Sequence, residues 1–272
     1  MKKQLILPYA LAAMVAIPIF AADSCGTLPG AKTAQLCIIM PAYNEEQRIG
    51  STLESYYAHF GNRAIIKVIL NGCSDNTKSV VESSKGYSEG AIQLIELEQA
   101  GKGHAVKHGF QEALSDNCAV GYIGFVDADG ATAPKDFEAL VSAMHLDPVD
   151  GVIASRYMDG AISTERPFIK KWGQRLCFLP LVRCLFGIDY HDTQCGAKIF
   201  KRNVIESIAH QMREPGWSFD VELLYLAAIS GFNVVEVPTQ WEDQAGSHLD
   251  SCGNGIPMLF SLCAVRANYA AL

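Results

Sequence analysis

Residues 122–132 read YIGFVDADGAT, an apolar run that stops at two aspartates one residue apart, Asp127 and Asp129, followed by glycine. Two carboxylates delivered into a loop at the carboxyl edge of a buried strand are hard oxygen ligands. There they can bridge a divalent cation to a diphosphate such as that of a nucleotide sugar. The same residues have a plainer reading, because an Asp-Gly pair is turn chemistry. Other segments add charge of the opposite sign. GKGHAVKHG offers glycines for close backbone approach, a helix N-terminus, and Lys102 and Lys107 as counter-charges for phosphate. ASRY places Arg156 just after a strand-like GVIAS, and residues 166–175 set Lys170 and Lys171 beside Trp172 and an apolar run. Cations next to apolar surface suit a lipid phosphate, whereas a solvated helix over the core would carry the same residues. WSFDVELL puts Asp220 and Glu222 at a helix start, as acid–base groups or as partners of the helix dipole.

The elements that must position these groups follow from pattern. LCIIMPAYNEE is an apolar strand stopping at Pro41 and opening into a polar turn, and IIKVILNGCSDNT is a second strand stopping at a Gly, Ser, Asp and Asn cluster. AGKGHAVKHGFQEAL, a glycine turn and then a helix, lies between the second strand and the Asp-x-Asp strand. Strand, helix, strand, helix, strand predicts an α/β fold with a doubly wound sheet, whose ligands sit at the carboxyl ends of the strands. All the polar clusters fall at those ends.

The chain has 272 residues and a net charge of −7, which gives no reason to expect a nucleic-acid partner. Residues 1–30 read as a hydrophobic anchor or signal segment plus linker, and residues 31–272 as one domain with room for a sizeable core. The segment from Leu5 to Ala22 is uncharged and mainly apolar, on the border between a signal sequence and a membrane span. Lys2 and Lys3 ahead of it favour leaving the amino end in the cytoplasm and sending the rest across. The 9 cysteines show no metal-type spacing.

The motifs MPAYNEE, NGCSDNT, GKGHAVKHG, DADGAT, ASRY, DTQCGAKIFKR, WSFDVELLYLA and VPTQWEDQAGSHL, in this order, resemble those of family 2 glycosyltransferases of GT-A fold. Within that family the likeness is to the dolichyl-phosphate β-glucosyltransferase group and related polyprenyl-phosphate glycosyltransferases. It spans roughly residues 35–250, with DTQCGAKIF and FDVELL the most discriminating segments. The resemblance implies a single Rossmann-like domain with a mixed, mostly parallel sheet flanked by helices. It implies an inverting, metal-dependent hexosyltransferase that moves a sugar, glucose by likeness, from a UDP-sugar to a polyprenyl phosphate. It also implies an enzyme held at a membrane surface with its catalytic domain facing the cytoplasm, against which the charge bias of the amino end argues for export.

Carried onto this chain, the resemblance gives each residue a role. Asp127 and Asp129 would hold Mg²⁺ or Mn²⁺ against the diphosphate, with Ala131 standing where some relatives have a further polar group. Pro41, Tyr43, Glu45, Asn71, Lys102, Lys107 and Asp127 would bind the nucleotide sugar. Asn71 stands where many relatives have an acid, which leaves base selectivity open, because an amide donates as well as accepts. Asp75 shapes its turn or touches ligand. Arg156, Asp192, Gln194 and Lys198 would meet the acceptor, and His248 would be a late diphosphate contact. Asp127, Asp129, Arg156 and Asp220 form the catalytic set, Asp220 as base for a hydroxyl acceptor, or as an orienting group where the acceptor is an already anionic phosphate. Two rival readings are transfer to a sugar or protein hydroxyl, and a catalytically silent nucleotide-sugar-binding protein.

Overall fold

Buried strands that carry apolar residues on both faces set the architecture. In the computed structural model, which describes residues 35–116, 120–163, 178–242 and 255–269, strands β1 (Leu36–Ala42) and β2 (Ala64–Asn71) are buried at every position. This is the pattern expected of parallel strands covered on both sides. The one charge inside β2, Lys67, is neutralised by Asp116 at 2.8 Å and donates to Gln93 at 2.6 Å. Expectations for residues 1–30, for the basic cluster of residues 166–175 and for His248 lie outside the described residues.

Helix α1 (Ile49–Phe60) buries Ile49, Leu53, Tyr56 and Phe60 and returns the chain from β1 to β2. The short helices α2 (Thr77–Glu82) and α3 (Lys85–Ser88) lead to β3 (Ile92–Leu97). Helix α4 (Lys102–Ser115) then crosses to β4 (Tyr122–Val126). After α5 (Pro134–Ala143) come β5 (Gly151–Ser155), β6 (Ile162–Ser163), α6 (Leu179–Phe186), β7 (Ala197–Lys201) and α7 (Arg202–Ile208). The chain closes with α8 (Phe219–Ile229), β8 (Val234–Pro238), β9 (Gln240–Trp241) and α9 (Gly255–Asn268).

The seven-stranded sheet has the order β3-β2-β1-β4-β7-β5-β8, and β6 pairs with β9 in a second, two-stranded sheet. Only β7 runs against its neighbours, β4 and β5, so the sheet is mixed and mostly parallel, as expected. Chain direction across the sheet reverses at β1, which pairs with β2 on one side and β4 on the other. A crevice opens at such a switch point beyond the carboxyl ends of the strands. Lys198, expected to meet the acceptor, lies inside β7, which sequence pattern does not separate from the DTQCG turn before it.

Two apolar layers cover the sheet. One joins α4, α6, α7, α8 and α9, and the other joins α1 and α5. Helix α8 is buried from Phe219 to Ala227 on all sides, as a helix inside a domain must be when it is apolar all round. Its first turn nevertheless carries Asp220 and Glu222 into that interior. Among the described residues, no helix is long and apolar enough to cross a membrane.

Candidate active site

A cleft of about 520 Å³ opens at the switch point and is lined by Pro41, Tyr43, Glu45, Arg48, Asn71, Ala100, Gly101, Lys102, Asp127, Ala128, Asp129, Gly216 and Trp217. It therefore gathers Pro41, Tyr43, Glu45, Asn71, Lys102, Asp127 and Asp129 from the candidate residues. Each comes from a carboxyl strand end or the start of α4, where backbone amides are left without helical partners. The β1 and β2 turns are tied together locally. Asn44 sits at φ 53, a left-handed conformation asparagine tolerates, and its Oδ1 accepts from Ser74 N at 2.8 Å. Asp75 accepts from Thr77 N, Thr77 Oγ1 and Glu46 N, so its role is to shape the turn.

Glu45 and Arg48 form a two-pronged ion pair, with both nitrogen-to-oxygen distances at 2.7 Å. Tyr43 lines the cleft and stays 42% exposed. Asn71 is buried at the floor; its Nδ2 lies 3.5 Å from Gly101 O, and its Oδ1 has no hydrogen-bond partner among the described residues. A buried carbonyl oxygen left unpaired costs free energy unless a ligand supplies a donor.

The aspartate pair lies on the loop after β4. Asp129 Oδ1 accepts from Ala131 N at 3.0 Å, and Asp127 N donates to Gly196 O at 2.9 Å. Burial and the neighbouring Asp127 charge push the Asp129 carboxyl above its ordinary value. Lys102 Nζ lies 2.5 Å from Asp127 Oδ1. That ion pair reaches a buried oxygen that accepts from no backbone amide. Burial works against the Lys102 ammonium, but Asp127, Asp220 and Asp129 outweigh it and hold its pKa above the usual range.

Among the described residues, no three or more His, Cys, Asp or Glu side chains are grouped to hold a metal by protein ligands alone. The residues present fit a hard cation of the Mg²⁺ or Mn²⁺ type. Such ions keep several waters and take one or two carboxylates plus substrate phosphates, and here two adjacent carboxylates share a cleft, one of them with a buried oxygen that accepts from no backbone amide.

Four of the remaining candidates form two buried ion pairs beyond the cleft lining. Arg156 Nε and Nη2 donate to Asp192 at 2.6 and 2.8 Å, and Arg156 N donates to the same carboxylate at 3.0 Å. The guanidinium also stacks 5.0 Å from the Trp241 ring centre. Asp192 N in turn donates to Glu236 at 2.9 Å. Gln194 N donates to Asp192 at 3.2 Å, and its Nε2 lies 3.4 Å from Met258 Sδ on α9. Lys198 is fully buried in β7, where its ammonium donates to Asp220 and, at 2.8 Å, to Cys195 O. Burial raises the Asp220 carboxyl above its ordinary value although Lys198 and Lys102 oppose it. Lys107 donates to Met212 O at 2.6 Å and does not line the cleft.

Sequence reasoning missed Arg48, Gly196 and the segment from Glu214 to Trp217. That segment packs on the start of α4 so closely that a Cβ on Gly103 would lie 2.3 Å from Glu214 O, and one on Gly101 would lie 2.6 Å from Pro215 O. It presents Trp217, 37% exposed, to the cleft, with Lys102 Nζ 5.5 Å from its ring centre. The paired glycines of GKG were the available signal.

A mixed sheet with its crevice at the switch point and an Asp-x-Asp loop in that crevice defines a glycosyltransferase of GT-A fold. The family model described as Glycosyl transferase family 2 matches residues 37–209, and the chain belongs to that family. Dolichyl-phosphate beta-glucosyltransferase of Dictyostelium discoideum is 33% identical over 252 residues, covering 86% of this chain and 74% of that protein. The protein of the same description from Drosophila melanogaster is 34% identical over 263 residues, covering 89% and 78%. Among solved structures, glucosyl-3-phosphoglycerate synthase from Mycobacterium tuberculosis with Mn²⁺, uridine diphosphate and phosphoglyceric acid superposes with a TM-score of 0.63. It is 17% identical and the match covers 86% of this chain and 78% of that one. The same enzyme with Mg²⁺ and uridine diphosphate gives a TM-score of 0.61 at 17% identity, covering 86% and 80%.

Proposed function

We propose that this glycosyltransferase moves glucose from UDP-glucose to a polyprenyl phosphate, with inversion at the anomeric carbon and with Mg²⁺ or Mn²⁺ held by Asp127 and Asp129. The observation that carries the reading is the cleft itself, in which Asp127, Asp129 and Lys102 converge beside the unpaired Asn71 oxygen. The donor and acceptor follow from relatives described as dolichyl-phosphate beta-glucosyltransferases, which are 33% and 34% identical to this chain over the aligned residues.

In this reading Asn71 Oδ1 accepts from a base N–H, Tyr43 lies against the nucleoside, and the Glu45–Arg48 pair borders the ribose. Lys102, at the start of α4, faces the diphosphate. A metal held by Asp127 and Asp129 would supply charge stabilisation for the departing diphosphate. An acceptor phosphate oxygen attacks the anomeric carbon, the bond from that carbon to the β-phosphate oxygen breaks, and UDP leaves with the bonding electrons. The attacking oxygen is already anionic at neutral pH, so no proton has to be removed. Arg156, fixed by Asp192, and Gln194 hold the acceptor loop in shape. The acceptor places the enzyme at a membrane surface, with its catalytic domain on the cytoplasmic side where nucleotide sugars are made.

The test is transfer of radiolabelled sugar from UDP-glucose to a short polyprenyl phosphate, with Mn²⁺ or Mg²⁺ and with EDTA, by wild type and Asp129→Asn. Metal-dependent labelled lipid that disappears in the variant is the expected result. A fully active Asp129→Asn enzyme would overturn the metal assignment, and donor binding without any labelled lipid would overturn the acceptor.

A further inference from the structure

We infer that Lys102 is the resident counter-cation of Asp127, which a divalent ion must displace on entering, so that metal and donor diphosphate load cooperatively. The inference rests on the reading of Asp127 and Asp129 as the metal pair. It assigns to Lys102 a positioning role before any donor is present.

Three features of the site carry it. The ammonium lies 2.5 Å from Asp127 Oδ1, a buried oxygen that accepts from no backbone amide. The other oxygen is confined, because Gly196 is packed so tightly that a Cβ there would sit 2.0 Å from Asp127 Oδ2. On the Gly196 side the Asp127 carboxylate therefore has little room to turn away from Lys102. The ammonium, in contrast, has another place to go. The rings of Trp217 and Phe219 lie 5.5 and 6.0 Å from it, and aromatic faces attract a cation.

A cation approaching Asp127 Oδ1 meets a like charge already at contact distance, so the metal alone binds at the cost of expelling Lys102. A diphosphate arriving with the metal changes the balance, because its oxygens accept the displaced ammonium in charge-assisted hydrogen bonds. Each ligand then raises the affinity of the other, and thermodynamic linkage makes the two effects equal. The Asp127 charge would remain covered until the donor is present.

The experiment is a Mn²⁺ titration followed by the electron paramagnetic resonance signal of free Mn²⁺, with and without UDP, at low and high KCl. It compares wild type with Lys102→Met, Lys102→Arg and Lys78→Met. Lys78 is on α2, pairs with Glu96 and does not line the cleft, so its loss changes net charge by the same amount without altering the cleft lining. The expected result is that Lys102→Met binds Mn²⁺ without UDP about tenfold more tightly than wild type and that UDP then improves its affinity less. The gain should persist at high salt, where the field of a distant charge is screened. Lys102→Arg should bind Mn²⁺ no more tightly than wild type. Equal or weaker binding by a folded Lys102→Met, or the same gain in Lys78→Met, would overturn the inference while leaving the metal site standing. No Mn²⁺ binding by wild type even with UDP would instead remove the metal reading, and the inference with it.

Discussion

Gly196 and the carboxylate of Asp127 are packed against each other without room for a side chain between them. A Cβ on Gly196 would lie 2.0 Å from Asp127 Oδ2 and 2.3 Å from its carboxyl carbon. The turn that begins with the Arg156-bound Asp192 thus ends against the aspartate that faces the cleft. Gly196→Ala should leave the strands intact, since Gly196 precedes β7, but must displace the Asp127 carboxylate. The expected outcome is a loss of transfer of at least 10²-fold, in line with the cost of about 1 Å of misplacement at a reacting centre. Circular dichroism should be unchanged, and Mn²⁺ affinity measured with UDP present should fall. Activity within twofold of wild type would show that the contact relaxes without consequence.

Much of this fold was legible in local pattern because its central strands are buried on both sides. LCIIM, IIKVIL and YIGFV could each be read as strands, and the polar residues after them fall at carboxyl ends whatever the strand order. Partner choice between distant segments was not legible. Nothing in DTQCGAKIF says that Lys198 lies inside an antiparallel strand and pairs with Asp220, because a buried lysine and an exposed one are written alike. Arg48 was passed over for the same reason, as one more charge on the way into a helix. Gly196 and Gly103 act through the absence of a side chain, and the atoms they make room for come from other parts of the chain.

The Arg156–Asp192 pair should set how the protein responds to acid. Burial alone would raise the Asp192 carboxyl, but the Arg156 guanidinium outweighs it and holds the value below the ordinary 3.8. A folded pKa lower than the unfolded one means that the unfolded chain binds the proton more readily. The stability contributed by Asp192 is therefore complete above the ordinary carboxylate value and is lost as pH falls through the lowered one. Asp192→Asn, which leaves a buried guanidinium facing an amide, should cost about 3–5 kcal/mol near neutral pH. In thermal melts across pH, the gap between variant and wild type should narrow below about pH 4. A gap of constant size down to the acid limit would show that the pair's charge contributes nothing.

Trp217 offers an optical readout of donor binding. It is 37% exposed in the cleft wall and lies over the Lys102 ammonium, so a nucleotide diphosphate that engages Lys102 changes the surroundings of the indole. UDP with Mn²⁺ should quench or shift the tryptophan emission, and Trp217→Phe should remove most of the response while Trp172 and Trp241 remain. Loss of the indole should also weaken donor binding by about 3- to 30-fold, through its cation–π contact and its contact area. An unchanged response in the variant would place the nucleotide away from this wall.

The pairing of Asp220 with Lys198 separates the two acceptor readings. Asp220 is buried and salt-bridged inside the domain, and burial raises its carboxyl above the ordinary value. A hydroxyl acceptor would require it to take a proton, whereas a phosphate acceptor would use it only to hold Lys198 and the Cys195 carbonyl in place. With a polyprenyl phosphate, Asp220→Asn should keep kcat within about tenfold of wild type, far short of the 10²–10⁴-fold that loss of a general base costs. Its chief defect should be thermal stability, because Lys198 is left buried without its counter-charge. Lys198→Met should be destabilised too, and the double variant should be more stable than the two single losses added together, since it leaves neither charge stranded. A loss of kcat above about 10³-fold in Asp220→Asn, with melting temperature and donor binding unchanged, would make Asp220 the base and direct the search for an acceptor toward hydroxyl groups.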